Sequence, residues 1–249
     1  METRLETRRP AVVLITGAAP YLGGSETWRP LREAAPDTHF IEVDPLLSSD
    51  AADTEREIQK VVTSALDGAD AIVAHAGAAR IVIETVARVR PDMPVLLLSP
   101  MLIQRTSVRL RLIRTVLGWP LLSRILTAYA RSKHHRLCED RTYVIKQLGF
   151  FVRRTAMGDA LIDEAQARLK DPRAAVVVER TAEFFQHMTT PLNREADKEV
   201  KNRRVLIGTG FLDKKTAKWM PATFLESVTG SAMIEAPNAV VQALHEMLT

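Results

Sequence analysis

The chain has 249 residues, 46% of them apolar, enough to bury the core of one large α/β domain or two small ones. It holds no run of eighteen uncharged apolar residues, which argues against a membrane-spanning helix, and its charged Met1–Pro10 segment lacks the apolar stretch of a secretory signal. A single cysteine, Cys138, excludes an internal disulfide and a cysteine-based zinc site, and a net charge of +4 is too mild to imply nucleic acid, so a cytoplasmic protein with no nucleic-acid partner is expected.

Ala11–Thr16 is an unbroken apolar run that stops at Gly17, the pattern of a strand buried on both faces of a parallel sheet. Glu26–Ala35 then reads as a short helix and His39–Asp44 as a second strand. After the polar loop Ser48–Asp53 comes a charged amphipathic helix, Thr54–Leu66. Ala69–Ala74 forms a third strand, running into the small-residue turn His75-Ala76-Gly77-Ala78 and the helix Ala79–Val89. Pro94–Leu98 is a fourth strand, closed by Ser99-Pro100. Strands and helices alternating at this spacing imply right-handed crossovers, hence an α/β fold with a mainly parallel central sheet and helices on both faces.

The alternation then stops. From Ile103 to about Thr189 the pattern is helical throughout, punctuated by Pro120 and Pro172. It resumes after the polar loop Asn193–Arg203 with a strand at Arg204–Ile207, a last strand at Phe224–Val228 and a last helix at Asn238–Leu248. The expected organisation is a core from residues 1–100 and 193–249, interrupted by a helical cap over 101–192.

Charge is unevenly distributed. Between Met101 and Cys138 there is no acidic residue, while Arg105, Arg109, Arg111, Arg114, Arg124, Arg131, Lys133 and Arg136 are interleaved with apolar side chains. Such a segment suits an anionic membrane surface or an acidic protein partner, or a cap whose arginines simply face water. The scattered histidines have no metal-ligand spacing: His134 and His135 are adjacent and point about 100° apart on a helix. Trp119 and Tyr129 are too few aromatics to stack a nucleic-acid strand.

The segment Ala74-His75-Ala76-Gly77-Ala78 resembles the nucleophile elbow of the α/β-hydrolases, a Gly-x-Ser-x-Gly turn whose outer positions are small because backbone segments crowd there. Flanking segments are similar as well. Leu14-Ile15-Thr16-Gly17 stands where that family has a strand end beside its oxyanion hole. Trp28-Arg29-Pro30-Leu31 and Val43-Asp44-Pro45 look like its first helix and the turn after its second strand, and Pro94–Pro100 resembles its next strand. Gly230-Ser231-Ala232-Met233-Ile234-Glu235-Ala236-Pro237 is similar to its Gly-His-x-x-x-x-Glu-x-Pro segment. The resemblance implies a degenerate member. The nucleophile position is Ala76, whose methyl group cannot attack a carbonyl. The histidine position falls on Gly230, or on Ser231 with a one-residue shift, and neither is a base. Asp213 is a possible remnant of the acid, with no histidine to orient.

What the resemblance leaves is a crevice at the strand ends, with Gly17, Ala18, His75, Ala76, Gly77 and Ser99 as its lining and backbone N–H groups near Ala18 and Gly77 as an anion-binding nest. A non-hydrolytic binding or scaffold protein for an apolar or acidic small ligand, a membrane surface or a protein partner, with no cofactor and no metal, is the leading expectation. An enzyme without a covalent intermediate (a cyclase, lyase or isomerase) is the alternative, with His75, Asp44, Ser99, Asp213 and Ser231 as its polar groups. A weaker resemblance links Thr16–Gly23, Ala74–Gly77, Ser99 and the Tyr129/Lys133 pair to short-chain dehydrogenase/reductases, which would imply NAD(P). Pro20 opposes it by replacing a glycine where the backbone must approach a pyrophosphate, and Ser99 stands about twice the usual distance from Tyr129.

Overall fold

A computed structural model of the chain describes residues 8–17, 21–44, 54–103, 112, 115, 119–179, 190–210 and 216–249. Among these, the strands are β1 (Ala11–Thr16), β2 (His39–Val43), β3 (Ala71–His75), β4 (Val95–Leu98), β5 (Arg203–Ile207) and β6 (Thr223–Phe224). They form one sheet in the order β2-β1-β3-β4-β5-β6, and every pairing is parallel. The helices are α1 (Ser25–Ala34), α2 (Thr54–Leu66), α3 (Ala79–Val89), α4 (Pro120–Glu139), α5 (Arg141–Leu148), α6 (Asp159–Leu169), α7 (Pro172–Glu179), α8 (Arg194–Glu199), α9 (Ala232–Glu235) and α10 (Pro237–Leu248). None of them is long and apolar enough to cross a membrane.

Side chains alternating along the strands divide the interior into two layers. Val13, Ile15, Ile72, Ala74, Val95, Leu97, Val205 and Ile207 point to one face, where Val62 and Leu66 of α2 and Ile81, Val82 and Val86 of α3 cover them. Val12, Leu14, Ala71, Val73, Leu96, Leu98 and Leu206 point to the other, against Trp28 and Leu31 of α1 and Val240, Ala243 and Leu244 of α10. With both faces covered, the strands must be apolar throughout, which is why the sequence shows runs here and not alternation. Chain order reverses between β1 and β3: the chain leaves β1 toward β2, then returns to β1's other side as β3.

A third, smaller core joins the helical segment to the loop after β1. Leu22 packs with Val144 and Leu148 of α5 and Ile162, Ala165 and Leu169 of α6. Two polar ties reinforce it. The first turn of α1 begins at Gly24, which has no side chain to cap it. Glu164 of α6 does so instead, accepting from the Ser25 hydroxyl and the Glu26 N–H, both at 2.9 Å. Arg168 of α6 forms an ion pair with Asp44 at the end of β2, both side chains being largely buried.

Local differences from the sequence-based expectation have identifiable causes. The Asn193–Arg203 stretch, read as a loop, contains α8, whose first turn is capped by the Asn193 Oδ1 accepting from the Glu195 N–H at 3.0 Å. Strand β3 starts at Ala71 and not at Ala69, the Asp70 carboxylate being spent on the Ala11 N–H at 2.7 Å. The last strand is only Thr223–Phe224, because the chain turns away to bond Thr209 N–H to the Val228 carbonyl at 2.7 Å.

Candidate functional site

The register aligns three strand ends. Thr16 of β1 pairs with His75 of β3, and His75 pairs with Leu98 of β4, so Gly17, Ala76 and Ser99 open three adjacent loops on one edge of the sheet. In an open parallel sheet the crevice for a ligand lies at this edge, where chain order reverses. Five of the residues expected to line it, Gly17, His75, Ala76, Gly77 and Ser99, are thus brought together. Ala18 and Asp213 lie outside the described residues.

Ala76 is the first residue of a single 3₁₀ turn, Ala76–Ala78, that leads directly from β3 into α3. Its φ is +51° and that of Ser99 is +43°. Both fall in the left-handed region, where a Cβ costs roughly 1–2 kcal/mol. The surroundings enforce the bend. The Met101 N–H donates to the Ala76 carbonyl at 3.0 Å, tying the loop after β4 to the turn. A Cβ added at Gly17 would stand 2.4 Å from the Ala78 nitrogen, so the loop after β1 passes directly against the turn. Ala76 is left 2% exposed, Ser99 and Gly17 are buried, and Gly77 is half-buried.

His75 is fully buried beneath the turn. Its Nε2 donates to the Gly230 carbonyl at 2.9 Å, which leaves Nδ1 as an acceptor with no partner among the described residues. Burial pushes its pKa down to about 4, the carbonyl opposing this only in part. At neutral pH the ring is therefore an uncharged packing element that pins the loop carrying Gly230.

Glu235 organises that loop from the other side. Its Oε1 accepts from the Arg153 N–H at 2.7 Å, and its Oε2 accepts from the N–H groups of Thr229 at 2.7 Å and Gly230 at 3.4 Å. The carboxylate is only 2% exposed. A Cβ at Gly230 would sit 3.4 Å from the Phe151 carbonyl, so the Phe150–Phe151 segment borders the space a side chain there would enter. Ser231 is fully buried, with no hydrogen-bond partner for its hydroxyl among the described residues.

Other sequence candidates fall elsewhere. Tyr129 and Lys133 are together on α4, the ammonium 4.8 Å from the ring centroid, but Tyr129 is exposed whereas Ser99 is buried at the sheet edge. Asp44, the one acid suited to a ribose, is engaged by Arg168. Concavities among the described residues lie away from the strand ends. One, of about 960 Å³, is lined by Gln59, Lys60, Leu66, Arg88 and Arg90. Another, of about 550 Å³, is lined by Arg136, Tyr143, Lys146, Gly149, Arg153 and Arg154. Among the described residues no cluster of three or more His, Cys, Asp or Glu side chains is placed to hold a metal. The capping role of Glu164 and the Arg168–Asp44 pair had no signal in the sequence, since each joins residues more than a hundred positions apart. Glu235 did have one, its place in the C-terminal motif.

No protein-family model and no curated protein sequence matches the chain. Solved structures do. A serine hydrolase involved in carbazole degradation (CarC) superposes with a TM-score of 0.66 at 13% identity, over 96% of this chain and 90% of that one. The meta-cleavage product hydrolase CumD from Pseudomonas fluorescens IP01, as a serine-to-alanine mutant complexed with acetates, gives 0.66 at 14% identity, over 95% and 91%. A putative alpha/beta hydrolase from Nostoc sp PCC 7120 gives 0.58 at 16%, over 96% and 91%. The chain has the α/β-hydrolase fold. Within the α/β-hydrolase fold as built here, the bend at Ala76 holds a methyl group at the meeting point of the three loops.

Proposed function

We propose that this is a non-hydrolytic α/β-hydrolase-fold protein, working by binding or as a scaffold and not through a serine triad. The observation that carries this reading is Ala76 at the strand-to-helix bend with φ +51°. The backbone of an elbow is present, and the side chain at its tip has no nucleophilic atom. Gly230, the position that the C-terminal motif would give to the base, has no side chain. His75 does not replace it, because a ring held neutral with a pKa near 4 and hydrogen-bonded to a carbonyl is a weak base facing away from any substrate. Gly17 and Gly77 offer backbone N–H groups to an apolar or acidic small ligand. The near-complete burial of Ala76 favours a scaffold role, in which the outer surface carries recognition.

The test is turnover of short p-nitrophenyl esters by the full chain, by Ala76→Ser and by Ala76→Ser/Gly230→His. Wild type and the single variant are expected to match the buffer rate. Protein-dependent turnover by wild type that disappears in His75→Gln would overturn the proposal.

A further inference from the structure

Helix α4 carries twenty residues, and none of them is buried. Its inner side is half-buried along Leu122, Leu126, Ala130, His134 and Leu137. Its outer side presents an apolar stripe at helical spacing: Leu121 is 70% exposed, Ile125 56% and Tyr129 57%, with Trp119 at 59% just before the first turn. Single exposed apolar residues need no explanation, but three at i, i+4 and i+8 along one face do. Arg124 and Arg131 border the stripe on one side and Lys133 on the other, all exposed. Arg124 makes no ion pair among the described residues, and residues 101–138 contain no carboxylate of their own.

Charge decides between occupants. Two copies of this face would bring arginines against arginines, so a symmetric dimer through α4 is opposed by repulsion. A complementary surface must be anionic and must also accept protruding apolar side chains from a convex helix that has no groove. A bilayer with anionic headgroups meets both conditions: side chains such as Leu and Ile enter the acyl boundary, Trp and Tyr settle at headgroup depth, and Arg and Lys meet the phosphates. We infer that the outer face of α4 is a docking surface for anionic phospholipid membranes. This inference goes beyond the non-hydrolytic reading, because it concerns a surface separate from Ala76 and holds whether or not esters are cleaved.

The experiment is co-sedimentation of the full chain with vesicles of phosphatidylcholine alone or with 30% phosphatidylserine, at about 50 and 500 mM salt. Binding is expected to the serine-containing vesicles only, weakening strongly in high salt. Arg124→Ser should lower the partition coefficient about fivefold, and Leu121→Ser/Ile125→Ser about tenfold or more. Circular dichroism should be unchanged in both variants, because these side chains face solvent. Trp119 fluorescence should shift to the blue on binding, and Trp119→Phe should abolish that change. Equal affinity for the neutral vesicles, absence of binding, or binding indifferent to the α4 variants would each overturn the proposal. So would concentration-dependent dimerisation abolished by Leu121→Ser, which would assign the face to a second copy.

Discussion

Gly17→Ala is the most direct probe of how tightly the three loops meet over the sheet edge. The added Cβ would stand 2.4 Å from the Ala78 nitrogen and 2.9 Å from its Cα and Cβ. Ordinary contact begins near 3.4 Å, so the loop after β1 and the turn must part by roughly 1 Å. Both partners are backbone, fixed by the β1–β3 register and by the Met101–Ala76 hydrogen bond, so no flexible side chain can absorb the displacement. Overpacking of this kind costs about 1–3 kcal/mol, and the rigid case lies at the upper end. At about 2–4 °C per kcal/mol for a chain of this size, the melting temperature should fall by roughly 6–12 °C.

Gly68→Ala supplies the control. Gly68 has φ +76° but nothing within 4 Å of an added Cβ. Its cost is backbone strain alone, about 1–2 kcal/mol, partly offset by the lower entropy of the unfolded alanine variant. Urea unfolding of both variants, with equal m-values, gives the comparison. If Gly17→Ala loses no more stability than Gly68→Ala, the loop and the turn are not in contact. The edge above Ala76 is then an open crevice, and the scaffold reading loses its support to a ligand-binding one.

Two further outcomes follow from the buried polar groups. His75 is neutral when folded, with a pKa near 4, and protonates near 6.5 when unfolded; between those values the unfolded chain binds the extra proton. Stability is therefore full above about pH 6.5 and falls by roughly 3 kcal/mol as the pH drops to 4. His75→Gln, whose amide can still donate to the Gly230 carbonyl, should remove that part of the pH dependence in urea titrations; an unchanged profile would refute the assignment. Glu235→Gln turns an NH₂ group toward N–H donors that the carboxylate now accepts, and should cost about 2–3 kcal/mol. Hydrogen exchange at the Arg153 and Thr229 amides should quicken in that variant, and unaltered protection would show that the clamp is not held by the carboxylate.

The core was legible in the sequence because parallel strands with two covered faces must be continuously apolar. Ala11–Thr16, Thr54–Leu66 and Ala79–Val89 have the bounds that pattern implied, and the small-residue turn at His75–Ala78 marked the bend. The helical segment was legible only as helical. Its attachment depends on Glu164, Arg168 and Leu22 finding partners far away in the chain, and hydrophobic period carries no information about such pairs. Asp44 illustrates the difficulty: alone at a strand end it looks like a ribose ligand, and only its arginine partner on α6 shows it to be a tie between layers. The C-terminal motif set Gly230 or Ser231 at the family's histidine position as an expectation, but gave no sign that the Phe151 carbonyl borders Gly230.

The strain at Ala76 bears on what sets the bend between β3 and α3. A left-handed φ at a residue with a Cβ persists only where its surroundings over-determine it. Here the determinants are the register of β3 between β1 and β4, the immediate start of α3 after one 3₁₀ turn, the Met101–Ala76 hydrogen bond and the close passage of Gly17. None of these involves the side chain at position 76. The bend is thus a property of how the sheet hands its chain to the helix, and a serine or an alanine would be held in the same conformation. Shape at this turn consequently says which fold the chain has, while activity is decided by the atoms mounted on it. On the non-hydrolytic reading proposed above, the methyl at 76, the bare backbone at 230 and the neutral imidazole underneath supply neither the nucleophile nor the base of an acyl transfer, and the ester assay decides it.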